Sequence, residues 1–281
     1  MGFLSKGQWI ALTSVLLLGV VLWFTPKKSK NFTEAETKKQ TNSGNFSFES
    51  LKDSIKKITE PNVLSQIVLF EQNLSKSSNS QGRVSAFDSL STLWKNQKQL
   101  ALSGWYKSQS ALLKNTSSEL AKAGELCYSL AKFSSPKERP LLMQQAIECL
   151  EKSFALDSNA VSVKVALASC YVEGSANPMK GIMMLRDIVQ KDSSNFEAQV
   201  QLGLFAMQSG QYDKAVDRFK KLQKIVPNNN EVDLYLAQAY AESGNKNDAI
   251  SVLNEFLKKS KDQVINAQVN NYIKQLKTTN Q

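Results

Sequence analysis

The pattern of apolar and polar positions divides the chain into three parts. An uncharged stretch of 20 residues runs from Gly7 to Pro26, and at about 1.5 Å per residue such a helix is as long as a bilayer's hydrocarbon core is thick. Residues 27–47 are polar and aperiodic, which is typical of a flexible linker. From residue 48 onward apolar residues recur at spacings of three and four without a useful alternating pattern, so this part predicts helices only.

The uncharged stretch predicts an N-terminal transmembrane anchor over residues 1–26. Trp9 and Trp23 lie near its two ends, where aromatic rings prefer the membrane interface. A cleaved signal peptide is the competing interpretation, but no A-x-A cleavage site follows the apolar run. The lysines directly after it, Lys27 and Lys28 among them, place the C-terminal part in the cytoplasm by the positive-inside rule. We therefore expect a single-pass protein of the plasma (inner) membrane, with a periplasmic-facing domain as the alternative.

A period of 34 residues marks the C-terminal half of the chain. Four pairs of residues are separated by this interval: Leu202 and Leu236, Gly210 and Gly244, Ala215 and Ala249, and Phe219 and Leu253. With the adjoining Gly203, Tyr212 and Pro227, this pattern resembles the tetratricopeptide repeat (TPR) family. The resemblance implies an all-α fold, in which helix-turn-helix repeats stack into a right-handed superhelix.

Extending the pattern toward the N-terminus predicts a TPR solenoid over residues 84–263. We assign its repeats to 84–117 (degenerate), 120–160, 161–195, 196–229 and 230–263. In the second of these, Leu126-Cys127-x2-Leu130 takes the packing positions of the first helix. Helices at 48–59 and 62–76 form an N-terminal cap over 48–83. Residues 264–281 form a C-terminal capping helix and tail, and the capping helix, at about 264–277, carries an apolar stripe of Ile265, Val269, Tyr272, Ile273 and Leu276.

The motif residues of such repeats serve packing. Small residues such as Gly203, Ala168 and Ala215 let the two helices of a repeat approach closely, and large ones fill the space between repeats. Gly210 and Gly244 fit the tight turn between helices, where a positive φ costs glycine nothing.

The resemblance implies that function lies on a concave surface, lined by the outward side of each first helix. Those offsets give a candidate partner-binding groove of Val165, Ser169, Val172, Glu197, Val200, Leu204, Met207, Leu234, Gln238 and Glu242. Val200 and Leu234 stand where one TPR subclass has a lysine that grips a peptide's C-terminal carboxylate, which argues against that ligand. An apolar lining with Met207 favours an amphipathic helix or an apolar segment. The alternative is that the final helix, or packing between repeats, covers these side chains.

The amino-acid composition limits the kinds of catalytic and metal site that the chain can form. The chain has no histidine, which excludes Ser-His-Asp hydrolases, His-zinc sites and haem ligation by histidine. Its three cysteines, Cys127, Cys149 and Cys170, contain no CxxC pair and are expected to be core residues. A catalytic site at the loop residues Lys137, Glu138 and Arg139 is a second hypothesis, but no nucleophile with an activating base accompanies them. We expect no catalysis, no cofactor and no metal.

The net charge of +10 is compatible with nucleic-acid binding, but the distribution of the charges weakens that interpretation. Four basic residues and no acidic one lie in residues 1–30, which leaves +6 for residues 31–281, and the whole chain has four arginines. Arginine is the preferred residue for bidentate phosphate and guanine contacts, so scattered lysines indicate a solvated surface. We expect a membrane-tethered scaffold with a protein or peptide partner and no nucleic acid. Binding of anionic lipid or nucleic acid through the lysines is the alternative, and a regulatory subunit of an enzyme the least favoured. The sequence leaves the oligomeric state open.

Overall fold

The structure is a computed structural model that describes residues 46–278. These residues form thirteen α-helices and no strand. The predicted anchor and nearly all of the predicted linker lie outside them. No helix among residues 46–278 has the length and apolarity needed to cross a membrane. The helices are α1 Phe48–Lys56, α2 Pro61–Lys76, α3 Ser80–Asn96, α4 Leu100–Lys114, α5 Ser117–Phe133, α6 Arg139–Leu156, α7 Val161–Gly174, α8 Pro178–Lys191, α9 Phe196–Gln208, α10 Tyr212–Ile225, α11 Asn230–Glu242, α12 Lys246–Lys259 and α13 Gln263–Thr278.

Ten of these helices pack as five consecutive hairpins, α3/α4 through α11/α12. The second helix of each hairpin also packs against the first helix of the next, and α12 packs against α13. Short loops join all these helices, as is typical of antiparallel helical neighbours. The described residues are therefore an all-helical solenoid of hairpins, which confirms the predicted all-α solenoid. Each predicted repeat corresponds to one hairpin, but α3 begins at Ser80, before the predicted start at residue 84, and α5 begins at Ser117, before the predicted start at residue 120.

Local sequence signals set the ends of these helices. Asn195 caps α9, because its side-chain oxygen accepts a hydrogen bond from the backbone N–H of Ala198 at 3.0 Å. Pro61 and Pro178 occupy the first turns of α2 and α8, where the missing N–H costs nothing. After α9 and α11 the chain turns at Gly210 and Gly244, whose φ angles are +73° and +85°, as the sequence predicts.

The core is distributed along the stack. One cluster of buried residues extends from Leu51 in α1 to Tyr171 in α7, a second joins α7, α8 and α9, and a third extends from Val200 in α9 to Leu276 in α13. Trp94, Phe219 and Phe256 are among the largest fully buried side chains. Each hairpin thus depends on its neighbours to bury its apolar faces.

The smallest residues lie at the points where two helices cross most closely. A Cβ on Gly203 would lie 2.6 Å from ring carbons of Phe219, and one on Gly181 would overlap the Ala168 carbonyl oxygen. A side chain at Gly203 would require the Phe219 ring to move, and one at Gly181 would require the backbone of α7 to move. The 34-residue pattern therefore has a steric origin.

In repeat 120–160 the predicted register of the first helix is wrong by three residues. Gly124 lies against the second helix, since a Cβ there would meet Leu150 at 2.6 Å and the Ala146 carbonyl oxygen at 3.1 Å. Leu126, predicted to be a packing residue, is 37% exposed. Ala123, Gly124 and Cys127 occupy the packing positions because the crossing point requires the smallest residue, and hydrophobicity alone suggested Leu126.

Candidate partner-binding surface

The ten predicted groove residues lie on α7, α9 and α11, the first helices of three successive hairpins. Neighbouring α7 and α9 contact each other directly. Val165, Ser169 and Val172 belong to α7, Glu197, Val200, Leu204 and Met207 to α9, and Leu234, Gln238 and Glu242 to α11.

Four of the ten are buried, namely Val165, Ser169, Val200 and Met207. Val165 joins the cluster between α7 and α9, while Val200 and Met207 belong to the C-terminal cluster. The Ser169 hydroxyl donates to the Val165 carbonyl oxygen at 3.1 Å, so its polar group is satisfied within its own helix. Contacts within and between hairpins cover these four side chains in the structure.

The other six reach solvent. Val172, Leu204, Leu234 and Gln238 are half-buried, and Glu197 and Glu242 are exposed. Leu204 and Leu234 both pack against the C-terminal core cluster. One side of each side chain therefore contacts the core, and the other side reaches solvent. A ligand laid over them would complete their burial. Their role as ligand contacts stays a prediction.

The final helix closes the end of the stack. Val269, Ile273 and Leu276 of α13 are buried in the C-terminal cluster, and Ile265 and Tyr272 pack against that cluster. Burial, together with the negative charge of Glu242 at the end of α11, raises the pKa of the Tyr272 hydroxyl. Leu204 and Leu234 keep their partial exposure with α13 in this position.

Basic residues are concentrated on the second helices of these three hairpins. In α7, α9 and α11, Lys164 is the single basic residue, and the acidic ones are Glu173, Glu197, Glu231, Asp233 and Glu242. The second helices carry eleven basic residues against the acidic Asp187, Asp213, Asp217, Asp248 and Glu255. Those eleven are Lys180, Arg186, Lys191, Lys214, Arg218, Lys220, Lys221, Lys224, Lys246, Lys258 and Lys259.

Two charged groups of the first helices have partners on second helices. Lys164 forms an ion pair with Asp187 on α8. Asp233 is buried and accepts hydrogen bonds from Lys259 on α12 at 3.2 Å and from Gln223 on α10 at 2.7 Å. The four glutamates Glu173, Glu197, Glu231 and Glu242 are exposed.

The structure also reveals an apolar patch that the sequence analysis missed. Met179 and Met183 on α8 are 58% and 64% exposed and border a shallow depression of about 620 Å³. The sequence signal was the Pro-Met-Lys-Gly-Ile-Met-Met segment that begins at Pro178. Helical spacing alone does not tell which of these methionines is covered, because that depends on the neighbouring helices.

The structure shows the surroundings of the three cysteines and of the charged loop at residues 137–139. All three cysteines are buried, and burial raises the pKa of both Cys149 and Cys170 to about 12, which disfavours the reactive thiolate. Glu138 accepts a hydrogen bond from the Ser135 hydroxyl at 2.8 Å, and Arg139 donates to the Ala131 carbonyl at 3.2 Å. Within residues 46–278 no group of three or more Cys, Asp or Glu is arranged to hold a metal ion.

A match between part of the chain and a known protein family supports the resemblance to TPR proteins. Residues 206–268, which include α10, α11 and α12, match the family described as tetratricopeptide repeat. This match covers under a quarter of the chain. The described part of the chain is thus an all-helical, TPR-like solenoid.

Individual proteins resemble parts of the chain. Superkiller protein 3 of Schizosaccharomyces pombe is 26% identical over 119 residues, which are 40% of this chain and 8% of that protein. A crystal structure of MamA aligns with a TM-score of 0.45 and 18% identity, covering 63% of this chain and 91% of MamA. The structure of YrrB, titled a TPR protein with an unusual peptide-binding site, aligns with a TM-score of 0.43 and 15% identity, covering 72% of this chain and 97% of YrrB.

Proposed function

We propose that this protein is a membrane-tethered scaffold that binds a protein or peptide partner on the accessible side of α7, α9 and α11, without catalysis of its own. The observation that carries the proposal is the partial exposure of Leu204 and Leu234 on adjacent first helices of a TPR-like solenoid. Both side chains already contact the core on one flank. A partner segment that covers the other flank gains apolar burial without a change in the fold.

The tether follows from the proposed anchor over residues 1–26. In this proposal the polar residues 27–47 connect the solenoid to that anchor. Capture of a partner on the solenoid then places that partner beside the membrane. By the positive-inside rule we assign the solenoid to the cytoplasmic side.

Site-specific crosslinking in native membranes tests the groove. A photoreactive amino acid in place of Gln238, which is half-buried on α11, is expected to give a discrete protein adduct, identified by mass spectrometry. Adding Leu204→Asp and Leu234→Asp should abolish the adduct, because two carboxylates at the apolar contact would be desolvated by the partner. Far-ultraviolet circular dichroism should remain helical.

A matched control uses the apolar patch on α8. Met179→Asp with Met183→Asp places the same two charges at exposed apolar positions of a second helix, and the adduct should persist. An adduct that survives Leu204→Asp with Leu234→Asp but disappears with the methionine variant would move the site from the first helices to α8.

A further inference from the structure

We propose that the segment bound on the first helices is a basic amphipathic helix, with an apolar stripe flanked by lysine or arginine. The proposal rests on the proposed function and names the chemistry of its partner. Three half-buried side chains, Val172, Leu204 and Leu234, supply apolar contacts on α7, α9 and α11 in turn. The charges around them decide which amphipathic helix fits.

Every exposed charged side chain on these three helices is acidic. Glu173, Glu197, Glu231 and Glu242 are exposed. Two of them are held by tyrosines, because Tyr128 donates its hydroxyl hydrogen to Glu173 at 2.7 Å and Tyr235 donates to Glu231 at 2.6 Å. A tyrosine hydroxyl orients a carboxylate without neutralising it, so the negative charge remains available to a ligand.

One cation of this region lies on a first helix, and the others lie on second helices, where Lys259 pairs with the buried Asp233 of α11. Lys164 is paired with Asp187 of α8, and the eleven other basic residues of the three hairpins belong to second helices. This separation runs against the composition, since the whole chain has 35 basic and 25 acidic residues. A surface with apolar contacts and only negative exposed charge attracts basic segments and repels acidic ones.

Two designed peptides of about 18 residues, long enough for five helical turns, separate charge from apolar contact. Both carry the same leucine stripe, with lysines on its flanks in one and glutamates in the other, and both bear fluorescein. Binding to the full chain in phosphatidylcholine nanodiscs is followed by fluorescence anisotropy, with empty nanodiscs as the blank. We expect the lysine peptide to bind at least about ten-fold more tightly at low salt, with a preference that shrinks at about 0.5 M salt.

Charge-neutral variants locate the preference on the protein. Replacing all four exposed glutamates by glutamine, which keeps the tyrosine hydrogen-bond acceptors, should weaken lysine-peptide binding about ten-fold. The matched control neutralises four exposed acidic residues of the second helices and should change Kd by less than about two-fold. This control is Asp213→Asn, Asp217→Asn, Asp248→Asn and Glu255→Gln.

The outcomes separate this proposal from the groove itself. Equal affinity for both peptides, or a preference that survives the four glutamine substitutions, overturns the basic-helix proposal. The groove stands in either case if Leu204→Asp with Leu234→Asp still abolishes peptide binding. Failure of both peptides to bind at about 100 μM, far weaker than a typical specific complex, also overturns the basic-helix proposal. In that case the crosslinking experiment alone tests whether the groove binds a partner.

Discussion

At the scale of single residues, helix crossing points decide what can be substituted. Gly181 lies where α8 crosses α7, and a Cβ there would overlap the Ala168 carbonyl oxygen and lie 2.7 Å from a methyl carbon of Val172. Sequence periodicity identified Gly203, Ala168 and Ala215 as small packing residues. It misplaced the crossing point at Gly124, because a nearby leucine matched the apolar pattern better.

Substitution of Gly181 tests the steric requirement. Helix propensity alone predicts that Gly181→Ala stabilises the protein by about 1 kcal/mol. We expect destabilisation by about 1–3 kcal/mol instead, because the contacted atom is backbone and cannot rotate away. Urea unfolding followed by circular dichroism measures the free energy of unfolding. The exposed Gln190→Ala on the same helix should change it by under about 0.5 kcal/mol, and a more stable Gly181→Ala protein would contradict the close approach.

The buried Asp233 gives a second test at this scale. Lys259→Met removes its cationic partner and leaves the carboxylate with Gln223, so we expect a loss of roughly 1–3 kcal/mol in the free energy of unfolding. The neighbouring Lys258 pairs with Glu255 at 2.5 Å, and both of these side chains are mostly exposed. Lys258→Met should cost under about 1 kcal/mol. Equal effects of the two substitutions would show that the burial of Asp233 does not matter.

At the scale of elements, the apolar stripe of α13 determines how the solenoid ends. The sequence predicted this helix at about 264–277, and the structure places it at Gln263–Thr278. Its period of three and four residues is a local property, which explains the close agreement. The helix packs against α12, and its buried side chains join the cluster that contains Leu253 and Phe256.

Loss of the α13 contact should loosen one end of the stack only. Val269→Asp with Ile273→Asp places two charges in the C-terminal cluster, so we expect faster amide hydrogen exchange in α11 and α12. Exchange in α3 to α6 should be unchanged, because repeats interact with their neighbours. Asn270→Asp with Lys274→Asp alters exposed positions of the same helix and is the control. Uniform loss of protection along the chain would indicate a single cooperative unit.

At the scale of the whole molecule, the native cysteines are buried and should not react with a thiol label. An introduced cysteine can therefore report the membrane orientation. Asn228→Cys adds an exposed thiol in the loop between α10 and α11. The proposed cytoplasmic solenoid predicts no labelling by a membrane-impermeant maleimide in spheroplasts and full labelling after lysis. The wild-type chain should stay unlabelled in both, since its thiols are buried. Labelling of Asn228→Cys in intact spheroplasts would establish the periplasmic alternative.

The sequence by itself determined the features that depend on local spacing. Helix periodicity and the 34-residue interval can be read along the chain, and they predicted the helical solenoid, its turns at Gly210 and Gly244 and its final helix. The tertiary structure decided accessibility, because burial depends on side chains contributed by other helices. It covered Val165 and Val200, left Leu204 partly open and exposed Met183. It also showed that every exposed charged side chain on the first helices of three successive hairpins is acidic, which no single repeat reveals.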